Sequence, residues 1–247
     1  EGDAFISAGN TGALLSAATL VVKRIRGIRR AAFAPVIPIG NGSILVDAGA
    51  NAECTPEFLL QFGCMGSFYA KKAQKKENPR VALLNNGAED SKGDSLHKEA
   101  YRLLQNAADE GLINFIGNVE ARDVLNDAAD VIVADGFSGN VLLKSVEGTA
   151  MYMSGLIKQV FMRNILTKLG YLLCKRGVQD MKKSMDYREV GGSVLIGIGK
   201  PVIKAHGSSD ARAVRGAVRQ AITAVESGFC EDIRANVAAM SMREARD

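Results

Sequence analysis

Short apolar runs alternate along this chain with longer amphipathic stretches, and a glycine-rich polar turn follows most of the apolar runs. Short apolar runs indicate strands, whereas apolar positions that recur every three or four residues indicate helices. The pattern predicts strands over residues 4–7, 31–37, 43–46, 81–84, 114–116, 131–134, 194–198 and 202–205. Strands that alternate with helices favour parallel βαβ units, and a predicted hairpin turn at 39–42 makes the sheet partly antiparallel.

The longer stretches predict helices. Thr55, Pro56 and Glu57 make a strong helix start, because they supply a hydroxyl cap, a proline at the first helical position and an acid at the positive end of the helix dipole. The periodic apolar positions predict helices over residues 10–23, 55–74, 94–110, 120–125, 140–185 and from 208 or 209 onward. Gly170 and Gly177 are the predicted interruptions of the longest helical range.

Composition places the chain among soluble globular proteins. Of its 247 residues 47% are hydrophobic and 23% are charged, and no apolar stretch is long enough to span a membrane. The net charge of +4 is too small to indicate a nucleic-acid partner. Cys54, Cys64, Cys174 and Cys230 form no C-x-x-C pair, so we expect reduced cytoplasmic thiols, no metal site and no cofactor.

The length suits one α/β domain over residues 1–247 with a helical insertion at 140–186. Strand-like residues follow Glu1 almost at once, so we expect an N-terminal portion to precede this chain. Between Lys158 and Arg188, eight basic residues stand against two acidic ones, interleaved with large apolar side chains. This segment suits either a helix lying in a membrane interface or a buried hairpin or dimer interface with a solvated basic side.

Six glycine-rich turns carry amides, hydroxyls or charges, and most of them lead into a predicted helix. They lie at residues 7–12, 47–51, 85–90, 117–120, 135–140 and 206–209. Such turns gather at the carboxyl edge of an open α/β sheet, where ligands bind. Glycine allows close approach of the backbone, and N–H groups at a helix start attract anions. Six turns together predict a site for a phosphate-bearing or otherwise anionic substrate.

The polar residues of these turns are the candidates for substrate contact, and each has an ordinary alternative as a helix cap or turn residue. The candidates are Ser7, Asn10, Thr11, Asp47, Asn51, Glu89, Lys92, Asn118, Asp135, Ser208 and Ser209. Cys54 lies near a helix start that would stabilise a thiolate, but no histidine is near it in sequence, so a catalytic thiol is not expected.

Taken in order, these turns resemble the phosphate acyltransferase family of bacterial phospholipid synthesis. Its members transfer a fatty acyl group from acyl carrier protein to inorganic phosphate. The matching strings are residues 7–13, 47–51, 83–93, 115–120, 135–148, 187–192 and 204–213, and they span nearly the whole chain in the expected order.

The resemblance implies a three-layer α/β/α fold with a large mixed, mostly parallel sheet, related to phosphotransacetylases and isocitrate dehydrogenases. It also implies a homodimer that associates peripherally with the inner face of the cell membrane, and a further βαβ segment at the start of family members. The helical pair in the insertion would then protrude and contact an anionic membrane through Phe161, Leu166 and Leu169.

For acyl transfer, phosphate itself is the nucleophile, so the protein must hold two anionic groups, stabilise the oxyanion and exclude water. We expect His206 to donate to the oxyanion or to protonate the departing sulfur. Lys204 or Lys92 would supply positive charge near the phosphate, and Asn140 or Asn51 would hold the acyl carbonyl or pantetheine amides.

Other functions predict different features. A NAD-dependent dehydrogenase of the related fold would need a dinucleotide fingerprint, and no turn has the G-x-G-x-x-G pattern with an acid about twenty residues on. A phosphotransacetylase that uses short-chain acyl-coenzyme A remains the closest alternative. A non-catalytic membrane scaffold would keep the basic segment and consume no thioester.

Overall fold

The computed structural model describes residues 2–37, 42–184, 191–207 and 209–240, which form a mixed α/β fold. The strands are β1 (Phe5–Ser7), β2 (Ala32–Pro35), β3 (Ile44–Val46), β4 (Arg80–Asn85), β5 (Asn114–Glu120), β6 (Val131–Val133), β7 (Ser193–Ile196) and β8 (Val202–Lys204). The helices are α1 (Thr11–Ala17, continued by a π-helical turn over Ala18–Lys23), α2 (Pro56–Ala73), α3 (Ser95–Asp109), α4 (Gly136–Met162), α5 (Ile165–Ser184), α6 (Ala211–Ser227) and α7 (Phe229–Asn236). Ser208 and most of the strings at 39–42 and 187–192 lie outside the described residues.

The strands form two four-stranded sheets, ordered β1-β8-β7-β2 and β3-β6-β4-β5. All strand pairs in the second sheet are parallel, whereas β7 pairs antiparallel with both β8 and β2 in the first. The sheets join at an antiparallel bridge between Val36 and Ile44 and at a hydrogen bond of 3.1 Å from the Ala48 N–H to the Phe33 carbonyl. The predicted α/β class with a mixed, mostly parallel arrangement is therefore confirmed.

Helices cover both faces of the joined sheets. One face packs against α2, α3, α6 and α7 in a single hydrophobic cluster that includes Ile44, Leu83 and Ile196. The other face carries two separate clusters. Leu14 and Ala18 of α1 pack over Phe33, Leu195 and Val202, and Leu142 and Val146 of α4 pack over Leu45 and Ile132. This second face therefore has two helical covers, α1 and α4, on either side of the junction between the sheets.

The strand directions separate the six polar turns into two groups. The strands β3, β6, β4 and β5 are parallel, so the turns that follow them lie at one edge. Since β2 runs antiparallel to β3 and in the same sense as β8 and β1, the turns after β1 and β8 lie at the opposite edge. The expectation that all six turns share one carboxyl edge is wrong, because one hairpin connection reverses the strand direction between the sheets.

The long helical segment forms a hairpin of α4 and α5. The turn between them falls at Arg163 and Asn164, where the Asn164 Oδ1 accepts from the Thr167 N–H at 2.9 Å and the Thr167 Oγ1 accepts from the Asn164 N–H at 3.0 Å. A single glycine costs a helix about 1 kcal/mol, too little to end it, so Gly170 and Gly177 lie inside α5 and the predicted interruptions are wrong. None of residues 151–181 is buried, and Phe161 contacts Tyr171 edge to face with ring centroids 5.4 Å apart.

The start of α4 packs directly on the turn that follows β3. The Gly136 N–H donates to the Asn51 carbonyl at 2.8 Å. A methyl group on Gly139 would overlap the Asp47 carbonyl oxygen, and one on Gly136 would overlap the Asn51 carbonyl oxygen. Only glycine at these two positions lets the helix approach the turn this closely.

A carboxylate at the opposite end of the second sheet ties β4 to β6. Asp130 is buried and accepts from the Lys76 Nζ at 2.8 Å, the Arg80 N–H at 2.8 Å and the Arg80 Nε at 3.1 Å. Burial alone would raise the pKa of Asp130, but the hydrogen bonds from Arg80 and Lys76 outweigh it and lower the pKa to about 2.

We expect Asp130→Asn to lower the free energy of unfolding at pH 7 by about 2 kcal/mol. Because the folded-state pKa lies below the ordinary value of 3.8, this stabilisation is present above pH 3.8 and is lost as the pH falls towards 2. Urea unfolding followed by circular dichroism at pH 7 and pH 3 measures both effects. The partly exposed Asp127→Asn is the control and should cost under about 1 kcal/mol. Equal losses in the two variants would contradict the account.

We expect Gly139→Ala to destabilise the protein by about 2 kcal/mol or more, because the added methyl group forces α4 away from backbone atoms that cannot yield. Gly148→Ala is the matched control. It lies in the same helix with open space around the added carbon, so helix propensity predicts a gain of up to about 1 kcal/mol. Thermal melts of the two variants test the contrast, and a loss of the same size in both would refute it.

Candidate functional site

A buried carboxylate organises the turn after β3. Asp47 is fully buried, and its oxygens accept from the N–H groups of Phe33 at 2.9 Å, Ala50 at 3.0 Å and Asn51 at 2.7 Å, and from the Asn51 side-chain amide at 2.9 Å. Burial raises the pKa of Asp47, and these hydrogen bonds oppose the rise. Asp47 was a candidate for substrate contact, but its burial and internal partners make it a positioning residue that holds the turn.

Asn51 connects this turn to two neighbours. Its side-chain amide also donates to the Ala31 carbonyl at 2.8 Å, and its own carbonyl accepts from Gly136 at the start of α4. Asn51 lines a cavity of about 530 Å³ that opens between the turn and α1. Apolar, hydroxyl, cationic and acidic side chains form the wall of this cavity, among them Leu15, Ser16, Thr19, Leu20, Arg24, Arg30 and Glu53.

The turn after β6 carries a cap and an exposed amide. Asp135 is buried and caps α4, because its Oδ1 accepts from the N–H groups of Phe137 and Ser138 at 2.9 Å. Asn140 lies one turn further along α4 and is exposed beside Gly49, where an added methyl group would lie 3.5 Å from the Asn140 Cγ. Among the described residues, this places the Asn140 amide over the turn held by Asp47, where a ligand can reach it.

The turn after β4 is tied to the end of β5, because residues 117–120, predicted as a turn, belong to that strand. The Asn85 amide donates to the Asn118 Oδ1 at 3.1 Å, and the Asn118 amide donates to the Glu89 carbonyl at 2.7 Å. Glu89 and Lys92 are both exposed on the turn after β4. Asn118 therefore supports this turn, and no contact in the described part of the chain brings the turn to Asn140.

The opposite edge holds the turns after β1 and β8. Ser7 and Lys204 are register partners, and the Asn10 Oδ1 caps α1 by accepting from the Ala13 N–H at 3.0 Å. The Ser7 Oγ accepts from the Gly9 N–H at 3.1 Å, and Thr11 is exposed in the first turn of α1. These residues lie together as the sequence predicted, but away from the Asp47 turn.

The start of α6 differs from the prediction. Asp210 caps this helix by accepting from the Ala213 N–H at 2.9 Å, so the helix begins at Ala211, after Ser209. A carboxylate at this position already supplies the negative charge that the helix dipole favours. The Ser209 Oγ is buried and has no hydrogen-bond partner in the described ranges, and His206 is exposed in the preceding turn.

Lys204 ends β8 and lies on the face of the sheets that α1 and α4 cover. Val202 faces the cluster under α1, so Lys204, two residues on in the same strand, projects from the same face of the sheet as α1 and α4. Burial lowers the pKa of Lys204, and the charge of Lys144 on α4 lowers it further.

Cys54 does not have the character of a nucleophile. Burial raises the pKa of its thiol to about 12; a hydrogen bond from the Gly136 backbone opposes this rise, and the charges of Asp47 and Asp135 add to it. A thiol with this pKa is protonated at neutral pH. Across the described residues, no cluster of three histidine, cysteine or acidic side chains could hold a metal ion.

Known proteins resemble this chain over nearly its whole length. Residues 1–232 match the family model described as fatty acid synthesis protein. Three relatives named phosphate acyltransferase are 50% identical over 238 residues (Thermoanaerobacterium thermosaccharolyticum), 52% over 241 (Alkaliphilus oremlandii) and 54% over 230 (Streptococcus pneumoniae). The alignments cover 96%, 97% and 92% of this chain and 70%, 71% and 69% of the respective relatives.

Comparison with solved structures shows which known fold the chain shares. A phosphotransacetylase from Staphylococcus aureus matches with a TM-score of 0.55, and one from Streptococcus pyogenes with a TM-score of 0.58, both at 18% identity. Each match covers 92% of this chain, and 63% and 64% of those two proteins respectively. At this identity the likeness concerns the fold alone. On the evidence of the family model and of relatives at 50–54% identity, the chain belongs to the fatty acid synthesis protein family that includes the phosphate acyltransferases.

Proposed function

We propose that the protein transfers a long-chain fatty acyl group from acyl carrier protein to inorganic phosphate, and so supplies acyl phosphate for phospholipid synthesis. The observation that carries this proposal is the identity of 50–54% to proteins named phosphate acyltransferase. The site geometry agrees with it, because Asn140 is exposed above a turn that three main-chain N–H groups fix on Asp47.

In this reaction a phosphate oxygen attacks the thioester carbonyl carbon. The tetrahedral intermediate then breaks its carbon–sulfur bond, and the departing thiolate takes up a proton. Asn140 would donate to the carbonyl oxygen as negative charge develops on it. Lys204 would offset the phosphate charge, and the cavity beside Asn51 would take the pantetheine arm. His206, in the turn after β8, lies at the opposite edge from Asn140, so the thiolate would take its proton from water.

The hairpin of α4 and α5 supports a second part of the proposal. Leu166 is 79% exposed, Leu169 54% and Leu173 90%, and several lysines and arginines lie between the apolar residues. No helix in the described ranges is both long and apolar enough to cross a membrane. We therefore propose that the hairpin lies in the interface of an anionic membrane, so that a cytoplasmic homodimer delivers its product at the inner face of the cell membrane.

The transfer reaction is tested by mixing the protein, phosphate and palmitoyl-loaded carrier protein and measuring free carrier thiol. Thiol should appear only when phosphate is present, and acetyl-coenzyme A should be a much poorer donor. Asn140→Ala should reduce turnover about 100-fold, because an oxyanion donor is lost. Ser145→Ala, at an exposed position of the same helix, is the control and should leave turnover unchanged. Preference for acetyl-coenzyme A would indicate a phosphotransacetylase, and no thioester consumption would indicate a scaffold.

The membrane contact is tested by sedimentation with vesicles that contain anionic lipid. Leu166→Glu with Leu169→Glu should weaken binding about tenfold or more, since two apolar contacts are lost. Gln159→Glu with Gln179→Glu adds the same charge at exposed polar positions of the hairpin and should weaken binding much less. If the leucine variant instead binds vesicles normally and loses its dimeric sedimentation coefficient, the hairpin is a subunit interface.

A further inference from the structure

We propose that the basic segment at residues 23–30, together with the exposed Leu20 and Val21 beside it, is the docking surface for the carrier protein. The partner that this surface fits is an acidic protein whose thioester is carried on a phosphodiester-linked arm. Arg24 and Arg30 would bind the phosphate of that arm where it enters the cavity that opens beside α1. The inference rests on the proposed function and adds to it the position of the carrier.

The basic segment has more positive charge than its neighbours compensate. Five of its side chains are cationic and exposed, namely Lys23, Arg24, Arg26, Arg29 and Arg30. Arg29 pairs with Glu57, whose Oε1 lies 3.2 Å from the Arg29 Nε. In the part of the chain that the structure describes, the other four form no ion pair. Uncompensated charge of one sign attracts a partner of the opposite sign and speeds the encounter with it.

Buried contacts hold the backbone of this segment in place. Ile25 and Ile28 are buried in the hydrophobic cluster under α2, α6 and α7. The buried Gln61 side chain accepts from the Arg29 N–H at 2.8 Å and donates to the Gly27 carbonyl at 3.1 Å. The apolar residues therefore face inward and the cations project outward from an ordered backbone. An ordered backbone lowers the entropy cost of binding a partner.

A π-helical turn brings apolar side chains to the border of the segment. Leu20 is 75% exposed and Val21 78% exposed, and both lie in the turn that continues α1. Lys23 ends this turn at a φ of 70°, which is uncommon for residues other than glycine, and its carbonyl accepts from the Gly199 N–H at 2.9 Å. Such π-helical turns often occur at functional sites. An apolar pair bordered by cations has the composition of a protein interface with an apolar centre and a polar rim.

The cavity joins this surface to the candidate site. Arg24 and Arg30 line the same cavity of about 530 Å³ as Asn51, a volume typical of small-molecule sites. The Arg24 Nη1 donates to the Arg29 carbonyl, and the Arg30 guanidinium lies over the Phe58 ring, 5.6 Å from its centroid. Both guanidinium groups are thus held by neighbouring groups. Their planar donor sets match the oxygens of a phosphate.

An arm that enters at the two arginines would run towards the turn that Asn140 overlies. Because β2 runs antiparallel to β3, the segment that precedes β2 lies at the same edge as the turn that follows β3. The Asn51 amide joins the two by donating to the Ala31 carbonyl at 2.8 Å. The Asn51 carbonyl accepts from the Gly136 N–H, one helical turn before Asn140. The basic segment, the cavity and Asn140 therefore lie at one edge of the sheets.

An anionic membrane is the other partner that a basic surface attracts. The cavity favours the carrier, because a bilayer has no arm to place in it. The side chains that line the cavity also suit the arm, whose middle part carries amide groups and a hydroxyl. Glu53 can accept from the amide N–H groups, and Ser16 and Thr19 supply hydroxyls on the same wall.

The docking surface is tested with fluorescently labelled carrier protein without an acyl group, whose binding is followed by fluorescence anisotropy. Arg26→Glu should weaken binding about tenfold, because it reverses a charge that faces an acidic partner. Added salt should weaken binding to the unmodified protein. Arg219→Glu is the matched control, since it reverses an exposed charge of α6 on the face away from α1, and it should leave binding unchanged.

Equal binding of the carrier by the Arg26→Glu and Arg219→Glu variants would overturn the docking surface. Loss of vesicle binding in Arg26→Glu, with carrier binding retained, would assign the surface to the membrane instead. Absence of phosphate-dependent thiol release by the unmodified protein would overturn the proposed function. The anisotropy measurement needs no turnover, so it would still report whether a carrier docks at this surface.

The role of the two arginines is tested by competition, because phosphopantetheine and pantetheine differ only in the phosphate. Phosphopantetheine should displace the labelled carrier at a concentration about tenfold lower than pantetheine does. Arg24→Met with Arg30→Met should abolish this difference, and Arg24→Lys with Arg30→Lys should restore part of it, since lysine keeps the charge and lacks the planar donor set. Displacement of the carrier from the unmodified protein with no preference for phosphopantetheine would overturn the phosphate contact.

Discussion

The buried carboxylate of Asp47 is the interaction on which the candidate site depends. It accepts from main-chain groups of the turn and of β2 on the neighbouring sheet, so it fixes the turn at the point where the two sheets meet. The turn orients the Asn51 carbonyl, which accepts a hydrogen bond from the Gly136 N–H at the start of α4. A buried carboxyl group is costly unless its oxygens are hydrogen-bonded, and here four N–H groups donate to them at 2.7–3.0 Å.

One rigid helix then carries the candidate chemistry away from that turn. The start of α4 admits only glycine at the two contacts with the turn, which fixes both its position and its direction. Asn140 stays beside the turn, and the far end of the helix continues into the exposed hairpin with α5. Under the proposed function, the same helix would connect the reacting groups to the membrane surface that uses the product.

Most elements could be predicted from local sequence because local interactions determine them. The start of α2 is an example, since Thr55 caps the helix and Pro56 begins it as the sequence predicts. Predictions failed where pairing with residues far away in the sequence determines the local conformation. Residues 117–120 pair with β4 and extend β5, so the helix predicted over 120–125 is reduced to a short 3₁₀ turn at Val124–Asn126. The separation of the turns into two edges depends on the reversal between β2 and β3. The sequence predicted that hairpin, but no local pattern shows which strands lie on either side of it.

The candidate site was predictable to the extent that its residues lie in glycine-rich turns. Asn140 and Lys204 were identified in this way, although nothing in the sequence placed them on one face. Asp47 was identified for the wrong reason, because an acid in a turn gives no sign of whether its oxygens face solvent or the surrounding N–H groups.

The central claim is that Asp47 holds the start of α4 through the turn, and amide hydrogen exchange of an Asp47→Asn variant tests it most directly. The account predicts faster exchange both at residues 50–51, whose N–H groups donate to Asp47, and at residues 136–140 of α4, with α3 unchanged as the internal reference. Faster exchange at 50–51 with full protection retained at 136–140 would contradict it, because the helix would then keep its place without the turn.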